Sequence, residues 1–481
     1  AALRTTAHNV ANIQTKGYSK QVANMTSLVS NKSSYLVQGN GVWVTDISRQ
    51  RDEYYDTKYQ TTQSAYCKYN TQEIYLKEME SVIASGIVSD SDSPALITSA
   101  FASFNSALSS LVGNPNNGTI RRQCVTSAQT FTEYVQNVAN KLQQLQDEAN
   151  TQIKTCVDQI NSYAGKIASL NKQINEIEVY GSVANDLRDQ RSVLIDELSQ
   201  YCNVEVMEKQ PDEGVGNSQF YVYMNGGVLV DTYHVNELQA NQKKTTSNIN
   251  DIEGCYEISW ADGTGFNQYN TTLGGKLQAL FQIRDGNNEN TLKGSLTGLE
   301  TDAATGKSTL VLTGTNCNNV TKLNIPASDG EITISGHTYA YSSFTTEVGA
   351  NGSFTYKFEL KDVANADQSI SLNNAVARKA TVTVGTDVDF RGVPYYMAQL
   401  NEFVRTYAQE FNTIQNQGYD LNGDQGMDFF NATVKSSGEN FVMQEKGTYD
   451  PSFSSVPEEQ NGVYKGSYYY MTALNFCVTK E

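Results

Sequence analysis

Two interleaved sevenfold series run through the middle of the chain. Ile153, Ile160, Ile167 and Ile174 recur every seven residues, and so do Val135, Leu142, Ala149, Cys156, Tyr163, Leu170 and Ile177. Together they alternate three- and four-residue steps, the apolar seam of a coiled-coil-like helix. Gly165 is the only glycine between 121 and 179, and no proline interrupts. Such a helix is ~85 Å long at 1.5 Å per residue. Its stripe must be covered by other helices, so a bundle is expected.

The flanking segments supply them. A short helix from Ala1 to about Ala11 runs into a turn at Lys16-Gly17, then strand-like stretches at 22–29 and 42–47, punctuated by Gly39-Asn40-Gly41. Residues 50–112 read as helix, with a stripe of Tyr55, Tyr59, Tyr66, Tyr69, Leu76, Met79 and Ile83. A second helix begins at Ser93-Pro94, carries Ile97, Phe101, Phe104, Leu108 and Leu111, and stops at Gly113-Asn114-Pro115. Beyond a turn near Gly181, a helix over 184–200 turns Leu187, Leu194 and Leu198 inward.

After 200 the period changes. Stretches at 205–206, 220–223, 228–230, 256–260, 309–312, 331–334, 339–344, 356–360 and 380–384 read as short strands between Gly, Asn and Asp turns, a sandwich or barrel pattern. Helix returns at 392–416, where Met397, Leu400, Val404, Tyr407, Phe411 and Ile414 step by three and four. The expected fold is α+β and multidomain: an elongated, coiled-coil-like helical bundle with inserted β-rich, sandwich- or barrel-like domains. Its parts are an N-terminal segment and hairpin (1–48), the first part of the helical rod (49–200), a β-rich domain (201–291), an inserted β-rich domain (292–390), the returning rod helix (391–418) and a mixed segment (419–481). The chain starts at Ala1 without Met and stops just after an apolar stretch at 472–478, which reads as truncation at both ends.

Composition narrows the function classes. With 35 Lys+Arg against 52 Asp+Glu the formal net charge is −17, and no basic cluster is large enough to neutralise a nucleic-acid backbone. No apolar run approaches the ~20 residues of a membrane span. The seven cysteines (67, 124, 156, 202, 255, 317 and 477) show no C-x-x-C pair and read as buried apolar side chains rather than a disulfide framework or zinc site. The three histidines, His8, His234 and His337, form no zincin motif. Gly306-Lys307-Ser308 nearly completes a phosphate loop, but Thr301 stands where the first glycine belongs and a strand follows where a helix is needed. Residues 420–428 (Asp-Leu-Asn-Gly-Asp-Gln-Gly-Met-Asp) alternate oxygen ligands as a calcium loop does. Gln425 and Asn431 stand where that loop needs Gly and Glu, so an Asx-rich turn is the expectation. No catalytic residue, cofactor or metal site is expected, and no enzyme activity.

One segment carries a family signature. Residues 9–21, Asn-Val-Ala-Asn-Ile-Gln-Thr-Lys-Gly-Tyr-Ser-Lys-Gln, resemble the N-terminal N-[IV]-A-N-x-x-T-x-G-Y-[ST] pattern of bacterial flagellar rod, hook and hook-associated proteins. The signature residues are Asn9, Ala11, Asn12, Thr15, Gly17, Tyr18 and Ser19; Lys16 stands where the family often has Pro. Physically, Gly17 can take the tight turn and the asparagines can cap the helix end. Gly39-Asn40-Gly41-Val42 with Ile47-Ser48-Arg49-Gln50-Arg51, the run 184–191 (Ala-Asn-Asp-Leu-Arg-Asp-Gln-Arg), Gly274-Gly275-Lys276-Leu277 through Arg284-Asp285, and 418–424 (Gly-Tyr-Asp-Leu-Asn-Gly-Asp) are similar, in order, to stretches of its hook-associated members.

The resemblance implies a self-assembling structural subunit linking flagellar hook to filament. It further implies partners in copies of itself, the hook protein, the next junction protein and an export chaperone, with no nucleic acid and no membrane. It places the protein outside the cell, in the flagellum, secreted by the flagellar export apparatus without a cleaved signal peptide. The competing readings are another axial protein of hook or rod, and a surface adhesin or carbohydrate-binding protein using the β-rich domains and their tyrosines.

Overall fold

In the computed structural model, all residues are described except 29–31, 34–35, 38–40, 88–95, 182, 210–217, 249, 303–305, 318–319, 327, 349–353, 364–365, 421, 434–437, 439, 442–447, 450–458, 461–462, 465–467, 469–470 and 481. Helix α1 (Ala2–Ala11) precedes β1 (Gln21–Ser27), the two-residue strands β2 (Lys32–Ser33) and β3 (Leu36–Val37), and β4 (Val42–Arg49). Then come α2 (Glu53–Ile87), α3 (Leu96–Gly113), α4 (Gly118–Glu178) and α5 (Asn185–Leu198). Strands β5 (Val204–Lys209), β6 (Gln219–Met224), β7 (Gly227–Asp231), β8 (His234–Val235), β9 (Leu238–Gln242) and β10 (Tyr256–Trp260) lead to α6 (Gly275–Asp285). Next are β11 (Leu292–Thr301), β12 (Ser308–Thr313), β13 (Gly330–Ile334), β14 (His337–Val348) and β15 (Phe354–Leu360). They are followed by α7 (Ala366–Ala377), β16 (Thr381–Val384) and α8 (Val393–Gln415). The chain closes through β17 (Phe430–Ala432), β18 (Thr448–Tyr449), β19 (Glu459–Gln460), β20 (Val463–Tyr464) and β21 (Phe476–Val478).

The chain divides into two compact units, and α2, α4 and α6 contribute to both. The α4 seam is buried as its pattern requires: Val135, Leu142, Ala149, Ile153, Cys156, Ile160, Ile167 and Ile174 are at most 1% exposed. Toward the end of the helix Tyr163 and Leu170 are only half-buried and Ile177 is exposed. An α-helix of 3.6 residues per turn drifts about 20° per heptad from a sevenfold repeat. The buried face therefore passes to Ala164, Ala168, Asn171 and Asn175.

Unit 1 comprises Ala1–Glu73, Thr151–Asn241 and Tyr256–Phe281. It contains the β1–β4 hairpin and a four-stranded antiparallel meander, β5-β6-β7-β8. β6 buries Phe220, Val222 and Met224 on one face. Asparagines of α4 tie the meander on: Asn171 donates to the Thr232 carbonyl at 2.8 Å and Asn175 to that of Ser218 at 3.0 Å. Asn161 likewise holds Leu238, donating to its carbonyl and accepting from its N–H. The first half of the α2 stripe departs from expectation, while Met79 further along is buried as expected. Tyr55, Tyr59, Tyr66 and Tyr69 face solvent, while Gln60, Ser64, Thr71 and Gln72 are buried. Spacing identifies a face of a helix but not which face a neighbour covers. On α5 the expected stripe is only partly covered: Leu198 is buried, Leu187 and Leu194 are half-buried, and Asn185, Asp189 and Arg191 are buried as well. Residues 201–291 are not wholly β, since α6 lies there, with Gly275 (φ +60°) seated against the Tyr201 backbone where a Cβ would stand 2.3 Å from the carbonyl carbon.

Unit 2 comprises Ile74–Asn150, Gln242–Cys255 and Gln282–Glu481. Its helical part is sealed by aromatic rings. Phe101 and Phe104 of α3, Phe131 of α4, Tyr407 and Phe411 of α8, and Phe430 and Phe476 of the β17–β21 pair contact one another with ring centroids 5.0–6.5 Å apart. Such pairs add about 0.5–1.5 kcal/mol beyond their buried area. The α8 stripe buries Met397 and Val404, but Ile414 is exposed. The inserted segment is a barrel rather than a sandwich: β13-β16-β11-β12-β15-β14 close because β13 also pairs with β14, and β18 adds to β14. Alternate residues fill the interior, among them Leu310, Leu312, Ile332, Tyr341, Phe344, Tyr356, Phe358 and Val382, and α7 contributes Leu372 and Ala375 to the same core. The β11 strand and α7 were not legible from pattern. The Ser93-Pro94 cap and Gly39-Asn40 lie outside the described residues.

Candidate functional site

The signature segment folds back on α5 within unit 1. Asn9, on α1, uses its side-chain amide as a strand neighbour would: it donates to the Gln21 carbonyl at 2.8 Å and accepts from the Gln21 N–H at 2.9 Å. Tyr18 donates its hydroxyl to the same amide oxygen at 2.7 Å and meets His8 Nδ1 at 3.0 Å. Asn12 is the residue that caps α1, its Nδ2 donating to the His8 carbonyl at 3.1 Å. Thr15 continues the turn, its N–H donating to the Asn12 carbonyl and its hydroxyl to Asn12 Oδ1. Gly17 then takes φ +79°, and a Cβ there would stand 2.0 Å from Val193 Cγ2 on α5. Ala11 is exposed and takes no part in this network.

Asp189 on α5 is the anchor. One carboxylate oxygen accepts from the buried Ser19 N–H at 2.9 Å, and the other from Arg49 Nη1 at 2.9 Å. Arg51 donates to the Ser19 hydroxyl at 3.2 Å, pairs with Asp56 and lies 4.0 Å from Asp196. Burial pushes the Asp196 carboxyl above its ordinary range, against the pull of Gln60 and Arg51. Asp186 accepts from Gln21 Nε2 at 2.8 Å, and Asn185 donates to the Ile47 carbonyl at 2.7 Å. Burial, then the charges of Asp186 and Asp189, push the Tyr18 hydroxyl up. Lys16 pairs with Glu197 at 2.8 Å, a link that a proline there would lack.

A second charge system lies on the next face of α5. Arg188 grips Glu178 at 2.6 and 2.7 Å and reaches Glu208 at 3.1 Å. Burial would raise the Glu178 carboxyl, but the Arg188 bonds and the Ala184 N–H hold it below its ordinary value. Arg191 is 3% exposed, pairs with Glu208 at 2.9 Å, donates to Asn171 and stacks 3.6 Å from the Phe220 ring centre. Burial lowers it to about 10, which leaves it charged at neutral pH.

Sequence reading found both partners, the signature and the 184–191 run, without joining them. The available signal was the charge density of α5: Asp186, Arg188, Asp189 and Arg191 within six residues of a helix that has few apolar positions. The joint encloses an open groove of about 660 Å³ lined by His8, Asn12, Lys16, Lys166, Asp186 and Val193, among others. Its chemistry is that of a hydrogen-bonded joint, holding α1 and the start of β1 to α5.

The other sequence candidates resolve as turns. Asp420 Oδ1 accepts from the Asn422 and Asp424 N–H groups at 2.8 and 2.9 Å, and Gly423 takes φ +87°. These backbone bonds hold the Asp420 carboxyl below its ordinary value, and the segment is an Asx turn closing α8; Leu421 lies outside the described residues. Gly306-Lys307 sits in the β11–β12 turn, with Lys307 bound to Glu359 at 2.7 Å; residues 303–305 lie outside the described residues. Among the described residues no three His, Cys, Asp or Glu side chains group to hold a metal ion, and no helix is long and apolar enough to cross a membrane.

Comparison with known proteins adds the following. A family model described as the flagellar hook-associated protein FlgK helical domain matches residues 85–307 and 308–430, and so leaves the 9–21 signature outside the match. Proteins named flagellar hook-associated protein 1 are similar to the chain. That of Bacillus subtilis is 29% identical over 270 residues, 52% of this chain and 52% of its own length. That of Escherichia coli is 26% identical over 274 residues, 56% of this chain and 46% of its own length. That of Salmonella typhimurium is 27% identical over 242 residues, 50% of this chain and 42% of its own length. The chain spans about half the length of the curated relatives it matches. Among solved structures, the flagellar hook junction protein FlgK from Burkholderia pseudomallei aligns with 17% identity and a TM-score of 0.41, covering 71% of this chain and 63% of that one.

Proposed function

The chain belongs to the family of the flagellar hook-associated protein FlgK helical domain, and from that premise we propose that it is a structural subunit of the bacterial flagellum, located at the junction of hook and filament. The observation that carries the proposal is the family match through α3, α4, α5, α6 and α8. The signature at 9–21, in order with the other similar stretches, supports the same reading. On this reading the protein acts by assembly rather than by catalysis. Copies of itself, the hook protein and the next junction protein are its neighbours, and an export chaperone accompanies it before secretion through the flagellar export apparatus. The Asn9–Asp189 joint sets the direction in which the N-terminal segment leaves α5, so that each subunit presents it alike. The domain division read from the sequence, 49–200 with 391–418 as one rod and 201–390 as β-rich domains, belongs to the same proposal. No observation among the described residues favours the adhesin reading, since the barrel interior is filled with side chains.

The test is immunogold electron microscopy of flagellated cells of the source organism, with antibodies raised against residues 1–481. The expected label is a single cluster at the base of each filament, where it meets the hook. Label along the filament, along the hook or over the cell surface would overturn the assignment, and the last pattern would favour the adhesin.

A further inference from the structure

The loop 243–255, between β9 and β10, buries Asn248, Asn250 and Asp251 against α8 and the parts of α4 and α6 that belong to unit 2; Ile249 lies outside the described residues. Asn250 accepts from Asn401 of α8 at 2.8 Å, and its carbonyl accepts from Gln143 of α4 at 2.9 Å. Asp251 accepts from Gln146 of α4 at 2.7 Å and from the Asn248 N–H at 2.8 Å. Gln146 also donates to the Arg284 carbonyl of α6 at 2.9 Å and accepts from the Ile252 N–H at 3.2 Å. One loop thus joins α4, α6 and α8.

Charge in this hub is unbalanced. Arg284, 1% exposed, spends both arms of its fork on Asp285 at 2.8 Å each, and its remaining nitrogen reaches Asn150 at 2.9 Å. Among the described residues, Asp251, 9% exposed, has hydrogen bonds from uncharged donors alone. The groups of α4 and α8 that bond the loop (Gln143, Gln146, Asn150 and Asn401) are neutral; Glu402, beside Asn401, pairs at 2.6 Å with Lys322 of the segment that also meets Asn248. On the loop itself, Lys243 is half-buried beside Ser247, Glu253 is exposed, and the buried Cys255 thiol is pushed up to about 12. The Arg284 guanidinium is thus bonded to Asp285 and not to Asp251, and an ionised carboxylate without a cationic partner in such a place is costly enough to take up a proton.

We propose that loop 243–255 is a proton-linked clasp, in which one proton held by Asp251 locks the loop onto α4, α6 and α8 and its release loosens the loop. Burial first, and the Asp285 charge second, raise Asp251 to about 7, against Gln146, Asn248 and Arg284. An unfolded aspartate titrates near 4. Between about pH 4 and about pH 7 the folded state holds a proton that the unfolded chain has lost, so stability falls as pH rises through that window and is level on either side. Each pH unit inside it lowers the folding constant by up to about tenfold. A salt-bridged aspartate would give the opposite slope.

The experiment has two readings on the full chain. In protein labelled at the Asp carboxyl carbon, NMR titration should show one carboxyl changing state near neutral pH, and Asp251→Asn should remove it. Trypsin cleavage at Lys243 and Lys244, normalised to an unstructured reference peptide, should rise about fivefold or more from pH 6 to pH 8, and Asp251→Asn should abolish the rise. Should Asp251→Asn fail to fold, Asp285→Asn serves instead: it frees Arg284 for Asp251 and should move the neutral titration down by a unit or more. The clasp is refuted if every Asp carbon titrates below pH 5, if cleavage in wild type and variant shares one pH ratio, or if Asp285→Asn leaves the titration in place.

Discussion

Gly17→Ala isolates the joint between the signature and α5. Gly17 has φ +79°, where an L-residue pays about 1–2 kcal/mol. The added Cβ would also stand 2.0 Å from Val193 Cγ2. Valine on a helix is nearly confined to one rotamer, so backbone must shift, at about 1–3 kcal/mol. The sum is about 2–5 kcal/mol of local stability, and since 1.4 kcal/mol is a factor of ten, roughly 30-fold or more in local opening. The measurement is native-state amide exchange at Ser19, whose N–H is held by Asp189, and at Gln21, whose N–H is held by Asn9. Protection at both should fall by that factor while the α4 seam keeps its own. Gly17→Ala combined with Val193→Ala removes the clash but not the backbone strain, so protection should return part of the way. Unchanged protection in the single variant, or no recovery in the double variant, would refute the account of Gly17 as a close-approach residue.

Other outcomes follow from the same contacts. Asp189→Ala leaves the buried Ser19 N–H without its acceptor and Arg49 without its carboxylate, and should cost about 3 kcal/mol in denaturant unfolding, with Asp189→Asn losing less. Arg284→Leu leaves Asp285 buried without its cation and should destabilise by about 3–5 kcal/mol in denaturant unfolding. Alkylation of the native protein at pH 8, followed by mass spectrometry, should reach the half-buried Cys67 and Cys317 well before Cys156 and Cys255, whose thiols burial raises to about 11 and about 12. Tyr341→Phe removes the hydroxyl that donates to the Pro326 carbonyl at 2.7 Å inside the barrel, and should cost about 1 kcal/mol in thermal unfolding.

Much of the helical part is legible in the sequence alone. Helix α4 begins at Gly118 and ends at Glu178, against an expectation of 121–179, because no glycine cap or proline intervenes and the apolar positions recur on one face. The returning helix α8 starts at its proline turn and ends at Gln415, again close to the reading of 392–416. Barrel strands such as β12 and β15 announced themselves by alternation, since each has one face in the core. Helices α6 and α7 were missed, being short and lying among strands, where their apolar residues do not complete a clear 3.6-residue stripe.

What the sequence determined by itself was local: which residues share a face, where a turn needs glycine, and which segments carry the flagellar signature. What tertiary structure alone decided was which face is covered, and by what. The α2 tyrosines keep helical spacing yet stand in solvent, because nothing in a periodic pattern names the neighbour. Helix α5 buries Asn185, Asp189 and Arg191 beside Ile195 and Leu198 because the Ile47 carbonyl, the Ser19 N–H, Arg49, Asn171 and Glu208 meet those polar groups. A buried charge is stable only where its hydrogen-bond partners converge. Here those partners are brought together from positions 19, 49 and 189, a convergence that folding creates and that no local stretch of the chain contains.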